Sequence, residues 1–196
     1  VSCVPVPGRS GYLHVSDDSF DPVQKRAKFF FNGANVEAVA EMFRTASEVT
    51  FSNEPDRVYF CRVIGGSTFD KSIFEFTEFE IVFECDPEKR EREPSIISAA
   101  NGMTLIHPGN RKCYPTFEIT GSGTIVLTVG AQAVTLAGVS GTTIIDGDLG
   151  ECYTSAGVNI NDKMTGLPPI LMPGVPTVIS WTGSATVVIR PNWRYV

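Results

Sequence analysis

The chain has 196 residues, 16 Lys and Arg against 22 Asp and Glu, a net charge of −6 and 42% hydrophobic residues. That is enough chain for one large or two small cores, and no apolar run is long enough to cross a bilayer as a helix. The acidic balance also argues against a nucleic-acid binder, which needs a basic face.

The charge is unevenly spread. Up to Ser95 there are 11 Lys and Arg against 17 Asp and Glu, and from Ile96 onward 5 against 5. Two domains of different surface chemistry are therefore expected. The first residue is Val and no signal-like segment opens the chain, so a preceding segment that includes a first strand is expected to be missing.

Val4-Pro-Val-Pro-Gly-Arg-Ser-Gly11 reads as a turn-rich loop and Ala27–Phe31 as an apolar strand. Asn35 is a fair N-cap for a helix of about ten residues, with Glu37 in its first turn. Val36, Val39, Ala40 and Phe43 fall on one stripe of that helix. After Val49-Thr-Phe-Ser comes a turn at Asn53-Glu-Pro-Asp56, then a strand over Arg57–Ile64. Ile73–Cys85 is the longest strand candidate. Phe79, Ile81, Phe83 and Cys85 alternate with Glu78, Glu80, Val82 and Glu84, which predicts one buried and one mostly acidic face. Phe74 and Phe76 have the opposite phase, so a bulge or bend is expected near Thr77.

Asp86-Pro-Glu-Lys-Arg-Glu-Arg-Glu-Pro94 carries two prolines and a run of charge, and reads as a solvated linker that buries nothing. This places an N-terminal α+β domain at 1–94 and a C-terminal β-sandwich at 95–196. In the second half, β-branched runs at 117–120, 124–129, 133–136, 142–146, 177–181 and 186–190 predict short strands. The segments 121–123, 130–132, 138–141 and 182–184 between them predict hairpin turns. The stretch 151–176, with Pro168-Pro169 and Pro173-Gly174, is expected to be a long irregular loop.

Five cysteines (Cys3, Cys61, Cys85, Cys113, Cys152) cannot all pair, and none forms Cys-x-x-Cys. Cys61 and Cys85 lie in apolar strand patterns, where buried free thiols are favoured; folding in a reducing cytoplasm follows. No nucleophile elbow is present, and His14 and His107 sit in turn-like surroundings. The glutamates Glu75, Glu78, Glu80 and Glu84 could supply an acid/base pair, but a solvated strand face is the stronger reading. Asp146-Gly-Asp148 with Glu151 hints at calcium, yet a turn explains it better. Neither a catalytic residue, a metal site nor a cofactor is expected. Saccharide or partner contact is the liveliest local hypothesis, with Tyr153, Asn159, Asn161 and Trp193 as its candidates. Core packing is the stronger reading of Trp193 and Trp181.

An ordered series of segments resembles the distal tail protein family of long, non-contractile-tailed bacteriophages and prophages. Val4-Pro-Val-Pro-Gly-Arg-Ser-Gly-Tyr-Leu13 is similar to its early loop, Phe79–Pro87 to its aromatic strand ending in Cys-x-Pro, and Tyr114–Gly123 to the opening of its second domain. Thr143–Asp146, Leu171–Gly174, Thr177–Trp181 and Val188–Arg194 follow in the same order. The resemblance implies a split-barrel-like belt domain with one short helix, assembling into a hexameric ring, and a galectin-like β-sandwich projecting outward. It implies a structural, non-enzymatic virion hub, made in the host cytoplasm, that joins the tail tube to tip or receptor-binding proteins around the DNA conduit. No membrane and no specific nucleic-acid contact are implied. On that reading Glu75, Glu78, Glu80 and Glu84 are candidates for an acidic face on the lumen, to which DNA does not adhere. The alternative is a tail-borne adhesion module that recognises host cell-wall saccharide.

Overall fold

The structure, a computed structural model, describes residues 2–5, 10, 12–15, 20–31, 36–66 and 77–196. The fold is mainly antiparallel β and divides into two compact units, Val1–Val49 with Tyr59–Pro87, and Thr50–Val58 with Glu88–Val196. The first unit holds 7 Lys and Arg against 12 Asp and Glu, the second 9 against 10, so the acidic surplus stays in the first.

In the first unit, β1 (Ser2–Pro5) pairs with β2 (Tyr12–Val15), so Val4 and Pro5, expected in a loop, are strand residues. Then follow β3 (Val23–Phe31), α1 (Val36–Arg44), β4 (Glu48–Val49), β5 (Arg57–Gly66) and β6 (Thr77–Cys85). Arg57 and Val58 of β5 belong to the second unit. β6 pairs with β3 on one side and β5 on the other. As the alternation predicts, Phe79, Ile81, Phe83 and Cys85 are buried. Phe43 of α1 covers this face, its ring 4.8 Å from Phe29, 5.7 Å from Phe79 and 6.4 Å from Phe83. Glu41, Met42 and Arg44 take the helix's exposed side. The expected cap Asn35, and the phase switch with Phe74 and Phe76, lie outside the described residues.

The second unit contains β7 (Lys89–Glu91), β8 (Ile97–Ala99), β9 (Met103–Leu105), β10 (Thr116–Val129), β11 (Gln132–Asp146), β12 (Glu151–Thr154), β13 (Met164–Thr165), β14 (Thr177–Arg190) and β15 (Arg194–Tyr195). The six short strands expected here are three long ones. Only Gly130-Ala131 makes a hairpin turn; the segments 121–123, 138–141 and 182–184 lie inside β10, β11 and β14. They sit side by side, with Gly121 opposite Gly141 and Ala185, and Ser122 opposite Ser140 and Ser184. Register shifts fall between Gly123 and Ile125, and between Ser122 and Val126. A band of small residues shared by three neighbouring strands lets them bend together. At Gly121 a Cβ would stand 2.5 Å from the Ser184 carbonyl oxygen, so the approach of the strands there requires glycine.

Below the bend, β8, β14, β10, β11 and β12 form one layer; above it, β9, β14, β10, β11 and β13 form the other. Phe117, Ile119 and Ile145 from one layer and Ile125, Leu127, Val134 and Ile179 from the other share one core. The result is a β-sandwich made by folding one sheet over itself. The stretch 151–176 is less irregular than expected, since it contains β12, β13 and a 3-10 turn at Asn161–Lys163. Cys113 and Leu171 exchange backbone hydrogen bonds, and the Gln132 amide bonds both polar groups of the Ile170 backbone.

The charged segment 86–94 is not a solvated linker. Lys89–Glu91 is β7, paired with Arg57–Val58 and with β15. Glu88 accepts from Arg111 at 3.2 Å and from Arg194 at 2.7 Å, and Arg194 also reaches Asp148, which Arg90 meets at 3.1 Å. Lys89 pairs with Glu54, and Arg57 stacks 3.8 Å above the Tyr195 ring. Charge makes a segment look solvated in sequence; here Glu88, Lys89 and Arg90 find partners that the sequence places far away.

Candidate functional site

The outward face of the β3–β6–β5 sheet is set by strand alternation: residues buried on one face leave their neighbours on the other. The register aligns Gln24, Arg26, Lys28 and Phe30 of β3 with Glu84, Val82, Glu80 and Glu78 of β6, and Arg62 of β5 with Glu84. Arg26 lies 3.7 Å from Glu80, and the Arg62 guanidinium hydrogen-bonds Glu84. The glutamate stripe is therefore flanked on both sides by cations. The expected acidic face is a mixed-charge face at Glu80 and Glu84, because cross-strand neighbours decide a sheet's surface charge and one strand's sequence does not contain them. Glu75 and the side chain of Glu78 lie outside the described residues. Among the charges, Phe30 and Ile64 are 66% and 43% exposed.

In the second unit the saccharide candidates part company. Tyr153 and Asn159 form a β-bridge, and Asn161 Oδ1 accepts from the Cys152 backbone N–H, so these three lie in one hairpin-like turn. Asn159 Oδ1 accepts from Asn161 N–H at 3.0 Å, and the Tyr153 hydroxyl donates to Asp146 at 3.4 Å. Their oxygens serve the local backbone and Asp146. Burial, then the Asp146 charge, raises the Tyr153 pKa. Trp193 is 5% exposed, its ring 4.6 Å from His107, which removes it as a sugar platform and makes it core. Trp181 is half-buried, its indole N–H donating to the Ala185 carbonyl at 3.0 Å. Among the described residues of this unit, no Phe, Tyr or Trp is fully exposed.

Asp146 Oδ1 accepts the backbone N–H groups of Asp148 and Leu149 at 3.0 Å each. Asp148 in turn serves Arg194 and Arg90, so this segment is a turn anchored by ion pairs. Among the described residues no group of three or more His, Cys, Asp and Glu side chains is placed to hold a metal. No helix of the described chain is long and apolar enough to cross a membrane. A cleft of about 460 Å³ is lined by Pro55, Asp56, Arg57, Glu91, Arg92, Glu93 and Ser95. Its charges are mixed. Arg57 is engaged by Asp56 at 3.3 Å, and Glu91 accepts the Ser95 hydroxyl at 2.7 Å. That leaves a surface suited to contact, without a converging nucleophile and base.

A scan against protein-family models finds no match, and neither does a sequence search of curated proteins. Solved structures do match. The Dit protein of phage SPP1, described as a paradigm of the hub adsorption apparatus in phages that infect Gram-positive bacteria, aligns with a TM-score of 0.77. The alignment covers 100% of this chain and 87% of that one, at 17% identity. The fold is that of Dit. A structure of the phage P2 baseplate in its activated conformation aligns with a TM-score of 0.47 and 7% identity, over 96% of this chain and 85% of that one. The Dit-like architecture holds over the whole chain, while so few identical residues make the likeness one of fold.

Residue patterns showed the strands of the site and missed its cations. Arg26, Lys28 and Arg62 carry no motif; only the pairing of β6 with both neighbours brings them beside the glutamates.

Proposed function

We infer that this chain is a structural hub of a phage tail, joining the tail tube to tip or receptor-binding proteins as a ring around the DNA conduit, and that it is not an enzyme. The full-length likeness to a hub adsorption protein supports the reading most strongly. The order of family-like segments along the sequence agrees with it. Copies of the first unit meet through the mixed-charge face, where Phe30 and Ile64 lie among Arg26, Lys28, Arg62 and Glu80. Alternating charge sets register between copies while exposed apolar groups supply area. The acidic surplus of the first unit discourages DNA from adhering to a ring built from it. Assembly takes place in the host cytoplasm and the product resides in the virion tail.

Particle mass by light scattering, with negative-stain images, tests this. Six-fold rings with a central hole are expected, and Phe30→Asp should return them to monomers. A monomer at all concentrations sinks the reading. The adhesion alternative loses its aromatic platform to the core at Trp193; tight binding of purified cell-wall polysaccharide by monomers would restore it.

A further inference from the structure

Cys61 of β5 and Cys85 of β6 are directly opposite each other in an antiparallel pair. The Asp86 N–H donates to the Phe60 carbonyl at 2.8 Å, which makes Phe60 and Asp86 a hydrogen-bonded pair and the adjacent Cys61 and Cys85 a non-hydrogen-bonded one. Residues in such a pair have Cα atoms about 4.5 Å apart and side chains on the same face, within the span a disulfide bridges. The Cys61 N–H is spent on the Ser47 carbonyl at 2.8 Å, which fixes the strand from its other side. Both thiols are free and lie within hydrogen-bonding reach of each other. Cys61 is half-buried and Cys85 is fully buried, so an oxidant reaches Cys61 first.

We propose that Cys61 and Cys85 form a redox-active cross-strand dithiol that closes to a disulfide with a low-molecular-weight disulfide as oxidant. The Cys61 thiolate attacks one sulfur of the oxidant, releasing one thiolate and leaving a mixed disulfide on Cys61. The Cys85 thiolate then attacks the Cys61 sulfur, expelling the second thiolate. The protein loses two hydrogens and two electrons, and the oxidant becomes two thiols. Burial holds Cys85 up to about 11, and burial also raises Cys61 against the hydrogen bond from Cys85. Only a small thiolate fraction is present at neutral pH, so closure takes hours. The product staples β5 to β6. The inference rests on the sheet and is independent of the tail role. For a chain made in a reducing cytosol and working outside it, the staple forms after release.

Incubation of the full chain with excess oxidised glutathione, under native conditions, tests it by intact mass and non-reducing peptide mapping. Loss of two hydrogens with a Cys61–Cys85 linked peptide is expected, together with a thermal midpoint several degrees higher that dithiothreitol reverses. Cys61→Ser should abolish both changes while leaving the reduced protein's midpoint nearly unmoved. A persistent glutathione adduct on Cys61, a linkage only to Cys3, or a Cys61–Cys85 linkage that needs denaturant would each overturn the proposal.

Discussion

In the second unit one sheet folds over itself at a band of Gly and Ser, so that its two halves bury each other: Phe117, Ile119, Ile125, Leu127, Ile145 and Ile179 have no exposed surface. In the first unit a single sheet has one face covered, by the aromatic contact of Phe43 with Phe29, Phe79 and Phe83, and leaves the other face with Phe30 and Ile64 among paired charges. Self-enclosure stabilises the second unit without help. The first unit has one covered face and one that keeps apolar groups exposed. The same kind of element, an antiparallel sheet, thus encloses itself in one unit and keeps one face of mixed charge and exposed apolar groups in the other.

The comparison predicts unequal responses to core truncation. Phe117→Ala should cost about 4 kcal/mol and Phe43→Ala about 3 kcal/mol, each from lost burial plus a cavity. Both tryptophans, Trp181 and Trp193, belong to the second unit, so their fluorescence reports that unit's urea unfolding while far-ultraviolet circular dichroism reports both. Phe117→Ala should shift the fluorescence midpoint strongly. Phe43→Ala should move part of the dichroism transition and leave the fluorescence midpoint in place. Equal shifts by both probes for Phe43→Ala would break the comparison.

A somewhat smaller effect is expected at the ion pairs that hold β7 and β15 in the second unit. The side chains of Arg194 and Glu88 are only 17% and 21% exposed. Arg194→Ala leaves Glu88 with Arg111 alone and Asp148 with Arg90 alone, and should lower stability by about 2 kcal/mol. Glu88→Gln alone should cost less, since the amide still accepts from Arg111. A double-mutant cycle that showed no coupling between the two positions would mean the network is decorative. On the outward face of the first unit, by contrast, Arg62→Ala should change stability by less than about 1 kcal/mol, because exposed pairs contribute little.

Sequence alternation was enough to show which side of β6 is buried, because period-two patterning is local. The bend was not legible in this way. Gly121-Ser-Gly123 between β-branched runs has the chemistry of a turn, and only the pairing of Gly121 with Gly141 and Ala185 reveals a crease across three strands. The same limit hid the fate of 86–94. Glu88 looks like a linker residue until Arg111, and Arg194 from the far end of the chain, close on it. At the mixed face, the glutamates were visible and their cations were not, since register is a tertiary quantity. Trp193 was read as a possible contact residue and more strongly as core; its contact with His107 is core.

Acid offers the gentlest way to separate the two units. Gly109 N–H donates to His107 Nδ1 at 2.9 Å, so the neutral ring carries its proton on Nε2, which is buried and without a hydrogen-bond partner among the described residues. Burial pushes the His107 pKa below 6.5. As pH falls below about 6.5, the unfolded chain takes up a proton there that the folded chain refuses, and stability declines until the folded pKa is reached. Glu88 acts lower down. Burial favours its neutral form, but hydrogen bonds from Arg194 and Arg111 prevail and hold its pKa below 4.5. Its contribution is therefore complete above pH 4.5 and is lost as pH falls through the folded value. Fluorescence-monitored urea midpoints from about pH 8 to about pH 2 should fall in two stages, the first with a slope of at most about 1.4 kcal/mol per pH unit. His107→Gln should flatten the first stage and leave the second. If the first stage survives that substitution, the group that titrates there lies elsewhere in the chain.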